Sequence, residues 1–123
     1  MFTGCLIVGA GGAVGAVCRY LMSLVRFEGA FPLMTFLTNF AGAVIIGIIA
    51  ALAAGWTAMT PNAVLFFKTG FCGGFTTFST FSLETLKLIE EHHFGTAALY
   101  AAGSLVFCVA GVWLGELIVQ RLM

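Results

Sequence analysis

Four long apolar runs separated by short polar links set the frame of this chain. A helix needs about 20 mostly apolar residues to cross a bilayer. The first run extends from about Phe2 to Val25, and the second from about Leu33 to Ala54. The third starts near Ala63 and ends in the polar stretch Glu84 to His93; the fourth extends from about Phe94 to Leu122. The links carry helix-breaking residues: Arg26-Phe27-Glu28-Gly29 and Pro32 after the first run, Gly55-Trp56-Thr57 and Thr60-Pro61-Asn62 after the second. Trp56 is placed for a membrane interface. Within the runs, small and polar residues recur at spacings of three and four, so each set shares one helix face. Gly11 and Gly15 form a smooth strip that lets another helix approach closely. Thr35, Thr38, Asn39 and Gly42 make a second such face, and Tyr100, Ser104, Cys108 and Gly111 a third. The pattern predicts an all-α membrane protein of four transmembrane helices, one domain over residues 1–123.

The third run departs from a plain span at Gly70-Phe71-Cys72-Gly73-Gly74-Phe75-Thr76-Thr77-Phe78-Ser79-Thr80-Phe81-Ser82. Three glycines within five residues cost a helix roughly 1 kcal/mol each against alanine, so the third helix is expected to break near Gly73–Thr80. In lipid, freed backbone groups survive only inside protein or along a wet cavity, which makes a broken helix a builder of ion and substrate sites. A second reading stays open: a glycine packing face whose hydroxyls bond back to their own helix.

Composition excludes several classes of function. The chain is 61% hydrophobic and only 8% charged, with mean hydropathy +1.11, whereas soluble domains carry about 25% charged residues. It is an integral membrane protein, four spans fill its 123 residues, and no soluble catalytic domain fits beside them. Zero net charge rules out a polybasic surface for nucleic acid. Cys5, Cys18, Cys72 and Cys108 form no C-x-x-C pair and read as buried small hydrophobes. The first run has no basic leader and reads as a retained span. Four spans put Lys68 and Arg121 on one side and Arg26 and Lys87 on the other, with Arg19 deeper in its helix. Excess Lys and Arg sets orientation, and this tally sets almost none. The chain is therefore expected to insert both ways up, with the two copies pairing through their glycine strips as an antiparallel homodimer.

Few residues carry chemistry. Arg19 is a strong charge inside an apolar run; it either makes a wet vestibule electropositive or bonds helix ends. Asn39 places an amide in mid-membrane, and Thr38, Ser79, Thr80, Tyr100 and Ser104 add enough hydroxyls to line a narrow file. Glu84, three residues after Phe81, is either a pore-mouth group or a solvated helix-end carboxylate. Adjacent His92 and His93 point apart and belong to a solvated loop. Phe78 and Phe81 project from one side of a helix. The positive edges of such rings, alternating with hydroxyls, could replace water around a small, strongly hydrated anion; plain core packing is the alternative.

These residues resemble the small fluoride channels of the Fluc, or CrcB, family over essentially the whole chain. The matching features are Gly11-Gly12 with Gly15, Arg19 and Tyr20; Thr35 with Asn39 and Gly42; Gly103-Ser104; and above all Gly70 through Ser82. The resemblance implies an antiparallel, dual-topology homodimer in the cell membrane, with two fluoride pores flanking a central structural sodium ion. By position it implies that Asn39 lies on the pore and that Phe78 and Phe81 meet fluoride edge-on. Ser79, Thr80, Tyr100 and Ser104 would form the polar side of the path. Gly73 and Thr76 would give backbone carbonyls to the sodium, two from each copy. Met34 stands where the family commonly has glycine, and Cys108 where a hydroxyl is common. The implied role is passive export of cytoplasmic fluoride, with no enzymatic step. The rivals are a small drug/proton antiporter, which needs a mid-membrane carboxylate, and a membrane scaffold subunit, which leaves Asn39 and the hydroxyl track unmotivated.

Overall fold

The computed structural model describes residues 1–55 and 59–123, and among these it is helical with no strand. The predicted interface residue Trp56 lies outside the described residues. Helix α1 spans Phe2–Ser23 and α2 spans Leu33–Ala54. The third span begins with a short helix, α3 (Pro61–Val64), whose Thr60 hydroxyl accepts the Ala63 N–H at 3.2 Å. It widens into a π-helix over Leu65–Cys72, returns to α geometry in α4 (Gly73–Phe75), breaks, and resumes as α5 (Phe78–Glu90). Helix α6 (Phe94–Leu122) is the last of the described helices. Helices α1, α2 and α6 are each long and apolar enough to span a membrane alone, as a multi-pass integral membrane protein requires. The interrupted third run, residues 61–90, is not among them.

Two close helix pairs make the frame, and backbone-on-backbone contact at glycine makes both. Helix α1 lies along residues 65–75. A Cβ on Gly11 would strike the Phe66 carbonyl and come within 3.0 Å of the Phe71 nitrogen. One on Gly15 would strike the Phe71 carbonyl and reach the Phe75 nitrogen at 2.8 Å. Gly70 and Gly74 answer from the other side, against Val8, Gly11 and Gly12. Helix α2 lies along α6 in the same manner, with Gly47 on Val112 and Gly115 on Val44. Close approach matters because lipid is as apolar as the side chains, so tight packing must drive association. The Gly11–Gly15 strip is thus used within one chain, which corrects the expectation that it pairs two copies. Any dimer must use another face.

The break falls inside the expected stretch Gly73–Thr80, at the threonines and not at the glycines. Gly70, Gly73 and Gly74 are all helical. The extended residues are Thr76 (φ −82°, ψ 157°) and Thr77 (φ −149°, ψ 115°). Thr77 caps the second half: its side-chain oxygen accepts the Thr80 N–H at 3.2 Å. The glycine content reflects packing on α1, and the chain opens one step later, where a capping residue and an outside partner replace helical hydrogen bonds. Both sequence readings of this stretch therefore hold at different residues.

At the far end of α5 the chain turns through His92, which has φ 62°. The His92 and His93 amides bond back to Ile89 and Leu88 at 3.0 and 2.8 Å, closing the helix with a left-handed residue at a position glycine usually fills. Both histidines are exposed, as a solvated turn requires. Beside this turn Leu88, Ala97 and Tyr100 form a small core, flanked by Phe31, Phe36 and Phe81. The four cysteines are free, but only Cys72 is fully buried and Cys5 is exposed, so burial is not their shared property.

Candidate functional site

The site grows from the break. Helical geometry would send the Thr77 N–H to the carbonyl of Gly73; instead it donates to Asn39 Oδ1 at 2.7 Å. Asn39 Nδ2 donates in return to the Thr77 carbonyl at 3.1 Å. One carboxamide thus satisfies both backbone groups of the extended residue. Arg19 Nε donates to the Gly74 carbonyl at 3.0 Å, taking a second acceptor that the interruption leaves over. Thr76 Oγ1 turns back to the Cys72 carbonyl at 2.7 Å. Freed backbone in a membrane has to find such partners, and α1 and α2 supply them from opposite sides.

An open groove of about 670 Å³ runs past the break between the third span, α2 and α6. Asn39, Thr76, Phe78, Phe81, Ser104 and Cys108 line it, with no carboxylate in its wall and one cation, Lys68. The Phe78 and Phe81 ring centroids lie 5.4 Å apart with planes tilted by 40°. Phe78 is 79% exposed, a large ring with little of its own chain over it. Ser104 is only 8% exposed, yet its hydroxyl has no hydrogen-bond partner. Helical serines commonly bond to the carbonyl four residues back; this one leaves a buried polar atom unsatisfied, which a native structure rarely tolerates without a ligand or water.

A second pocket, about 280 Å³, opens on the other side of the break between α1 and α2. Arg19, Tyr20, Thr35, Thr38 and Thr80 are among its walls. Arg19 thus bonds the end of a helix and also lines this pocket.

The expected polar file does not form one line. Asn39, Phe78, Phe81 and Ser104 come together in the groove, with Thr76 and Gly73 beside them. Thr80 faces the Arg19 pocket, where its hydroxyl is bonded by Thr77 at 3.0 Å. Ser79 is exposed, 3.3 Å from the Thr77 hydroxyl. Tyr100 is completely buried and donates to Glu84 Oε2 at 2.7 Å. Helical periodicity put Tyr100 and Ser104 on one face correctly, but one turn of rise moves the tyrosine past the groove into the small core. Thr35 donates to Glu84 Oε1 at 2.8 Å, so both carboxylate oxygens are engaged. Glu84 is thereby an internal bridge between α2, α5 and α6, and the solvated helix-end reading is corrected. Sequence reasoning also missed Thr77, although Thr77-x-x-Thr80 has the spacing of an N-cap.

The chain matches the family described as CrcB-like protein, Camphor Resistance (CrcB), across residues 6–116. It is 47% identical over 117 residues to the fluoride-specific ion channel FluC of Chlorobaculum tepidum, covering 94% of this chain and 93% of that one. It is 42% identical over 120 residues to fluoride-specific ion channel FluC 2 of Nitrobacter hamburgensis, covering 95% and 97%. A third relative, the fluoride-specific ion channel FluC of Azobacteroides pseudotrichonymphae, is 40% identical over 118 residues, covering 93% and 94%. With end-to-end matches of this strength joined to a third span broken beside an asparagine, two phenylalanines and an unpartnered serine, the chain belongs to the CrcB-like family.

Proposed function

We propose that the protein is a passive fluoride channel and that the groove beside the break is one wall of its pore. Its membrane-spanning fold and its fluoride-channel relatives support the activity. The observation that carries the assignment to this groove is the buried, unpartnered Ser104 hydroxyl, set among Asn39 and the Phe78 and Phe81 rings. A hydroxyl proton, an amide N–H and ring edges all offer partial positive charge. They replace the hydration shell of a small anion with neutral groups, so that no full charge holds it where it is dehydrated. Fluoride trapped as the anion inside a cell then leaves down its electrochemical gradient, with no covalent or redox step.

A second copy closes the groove. Only 11% of an 18-residue apolar window of α1 and 17% of one in α6 is buried within the chain, which leaves surface on each helix for lipid or a partner. The exposed Phe78 ring and the groove, which mixes polar groups such as Asn39 and Thr76 with apolar ones, suit a protein partner better than lipid. The even Lys and Arg tally supports pairing of an up copy with a down copy.

A structural sodium ion fits the break at the twofold axis of that pair. Sodium is a hard cation that takes oxygen ligands, and among the described residues no cluster of His, Cys, Asp or Glu competes to be a metal site. Gly73 has open space where a side chain would stand, with nothing within 4 Å, and Thr76 is extended at the break. Carbonyls of Gly73 and Thr76 would hold the ion, two from each copy, and its charge would tie the halves together.

The drug/proton antiporter gains nothing from the structure. The carboxylate nearest the break, Glu84, is held by Thr35 and Tyr100 and does not face the groove. Liposomes loaded with fluoride and opened to charge balance by a potassium ionophore test the channel. Wild-type protein should release fluoride and retain chloride, and Phe78→Ile and Phe81→Ile should each cut release while the dimer still assembles. Equal release from both variants and wild type would remove the rings from the pathway.

A further inference from the structure

The one cation on the groove has no role in the reading so far. Lys68 stands on the π-helical part of the third span, seven residues after its first residue, Pro61. It is exposed and lines the groove together with Cys72 and Thr76. Those three are four apart in sequence, so the widened helix keeps them on one face and makes Lys68 the outer end of that wall. At the ~1.5 Å per residue of an α-helix, and less along its π-helical part, eight residues place Lys68 up to about 12 Å from the break toward the membrane surface. A hydrocarbon core about 30 Å thick has its boundary about 15 Å from the midplane. The lysine stem therefore carries its ammonium to the mouth of the groove, still beside low-dielectric walls. No carboxylate shares the groove wall, and none of the described residues forms an ion pair with Lys68. Arg19, the other cation of the membrane interior, serves the separate pocket and is bound to the Gly74 carbonyl.

We propose that Lys68 is the residue that draws fluoride into the outer end of the groove, and so sets flux when fluoride is dilute. The proposal rests on the groove being the pathway. A single positive charge in a cleft with apolar walls focuses field lines and raises the local anion concentration. It acts on entry, at long range, without touching the ion where it is dehydrated. A positioning role of this kind has two signatures. It is lost as salt screens it, over a Debye length that shrinks from about 30 Å at 0.01 M to about 3 Å at 1 M. It also depends on the sign of the charge and not on the shape of the side chain.

The test compares fluoride release from liposomes at low fluoride, in low and in high concentrations of an impermeant salt. Lys68→Met should lower the initial rate roughly three- to tenfold at low salt, with the deficit closing at high salt, and Lys68→Arg should keep the wild-type rate. Because Lys68 also counts toward membrane orientation, Lys68→Cys provides the decisive arm: it is purified as assembled dimer and only then modified. A thiol reagent that attaches an ammonium group should restore the rate, and one that attaches a sulfonate should lower it further. Both reagents are also applied to the wild type, whose own four cysteines set the background. Equal rates after either reagent, or a Lys68→Met deficit indifferent to salt, would overturn the proposal. A sign-dependent effect at position 68 alongside unchanged flux in Phe81→Ile would keep the cation and move the error to the pathway.

Discussion

Asn39→Ala isolates the link between the break and the pore. The substitution removes the two hydrogen bonds, 2.7 and 3.1 Å long, that Asn39 makes to the Thr77 N–H and carbonyl. Interhelical hydrogen bonds in membrane proteins average about 0.6 kcal/mol and reach about 1.7 kcal/mol. Here the loss is larger than two average bonds, because Thr77 cannot recover the partners on its own: its residue is extended, and the helix on either side is already closed by other groups. Leaving a buried donor or acceptor unsatisfied costs about 1–3 kcal/mol, so the pair together is worth about 2–4 kcal/mol. Every 1.4 kcal/mol is tenfold in an equilibrium constant, which corresponds to faster exchange of the Thr77 amide by between about thirtyfold and a thousandfold. Hydrogen exchange at Thr77 reads this directly, and fluoride release from liposomes should fall in parallel. Asn39→Asp is the informative companion: it retains an acceptor for the Thr77 N–H but sets a second oxygen against the Thr77 carbonyl, so it should behave more like alanine than like wild type. Unchanged protection of Thr77 together with wild-type flux in Asn39→Ala would refute the argument that this amide holds the break.

Three further outcomes follow from the geometry. Ser104→Ala removes a buried hydroxyl that has no partner; thermal stability should hold or rise by up to about 1 kcal/mol while flux falls, and a loss of both would mean the hydroxyl is structural. Gly15→Ala forces a methyl against the Phe71 carbonyl and within 2.8 Å of the Phe75 nitrogen, whereas the same change at Gly9 meets nothing within 4 Å. The first should destabilise the detergent-solubilised protein by about 1–3 kcal/mol and the second should leave its melting point unchanged. Exchanging sodium for a large organic cation should lower the temperature at which the dimer dissociates on size-exclusion after heating, and identical profiles would argue against the ion.

Much of the architecture was legible because hydropathy and glycine spacing act locally. Three of the four apolar runs form helices long enough to cross, with α2 and α6 bounded as expected, because a bilayer sets the length a crossing helix needs. The polar face Thr35–Thr38–Asn39–Gly42 was visible from its spacing, and it does meet the third span. Spacing could not say what each face would meet. The spacing of Gly11 and Gly15 offers a surface for a second copy, yet they close on residues of their own chain. The position of Glu84 in the sequence suits a pore mouth or a solvated helix end, but the acceptors it offers are filled by hydroxyls 49 and 16 residues away. The break itself was foreseen to within a few residues. Its place, at Thr76 and Thr77, depends on Asn39, 38 residues earlier in the chain, reaching the Thr77 backbone. Local composition fixes which segments are helical and where a helix is weak; which backbone group actually opens is decided by the partner that tertiary packing brings to it, because in lipid no water is there to take its place.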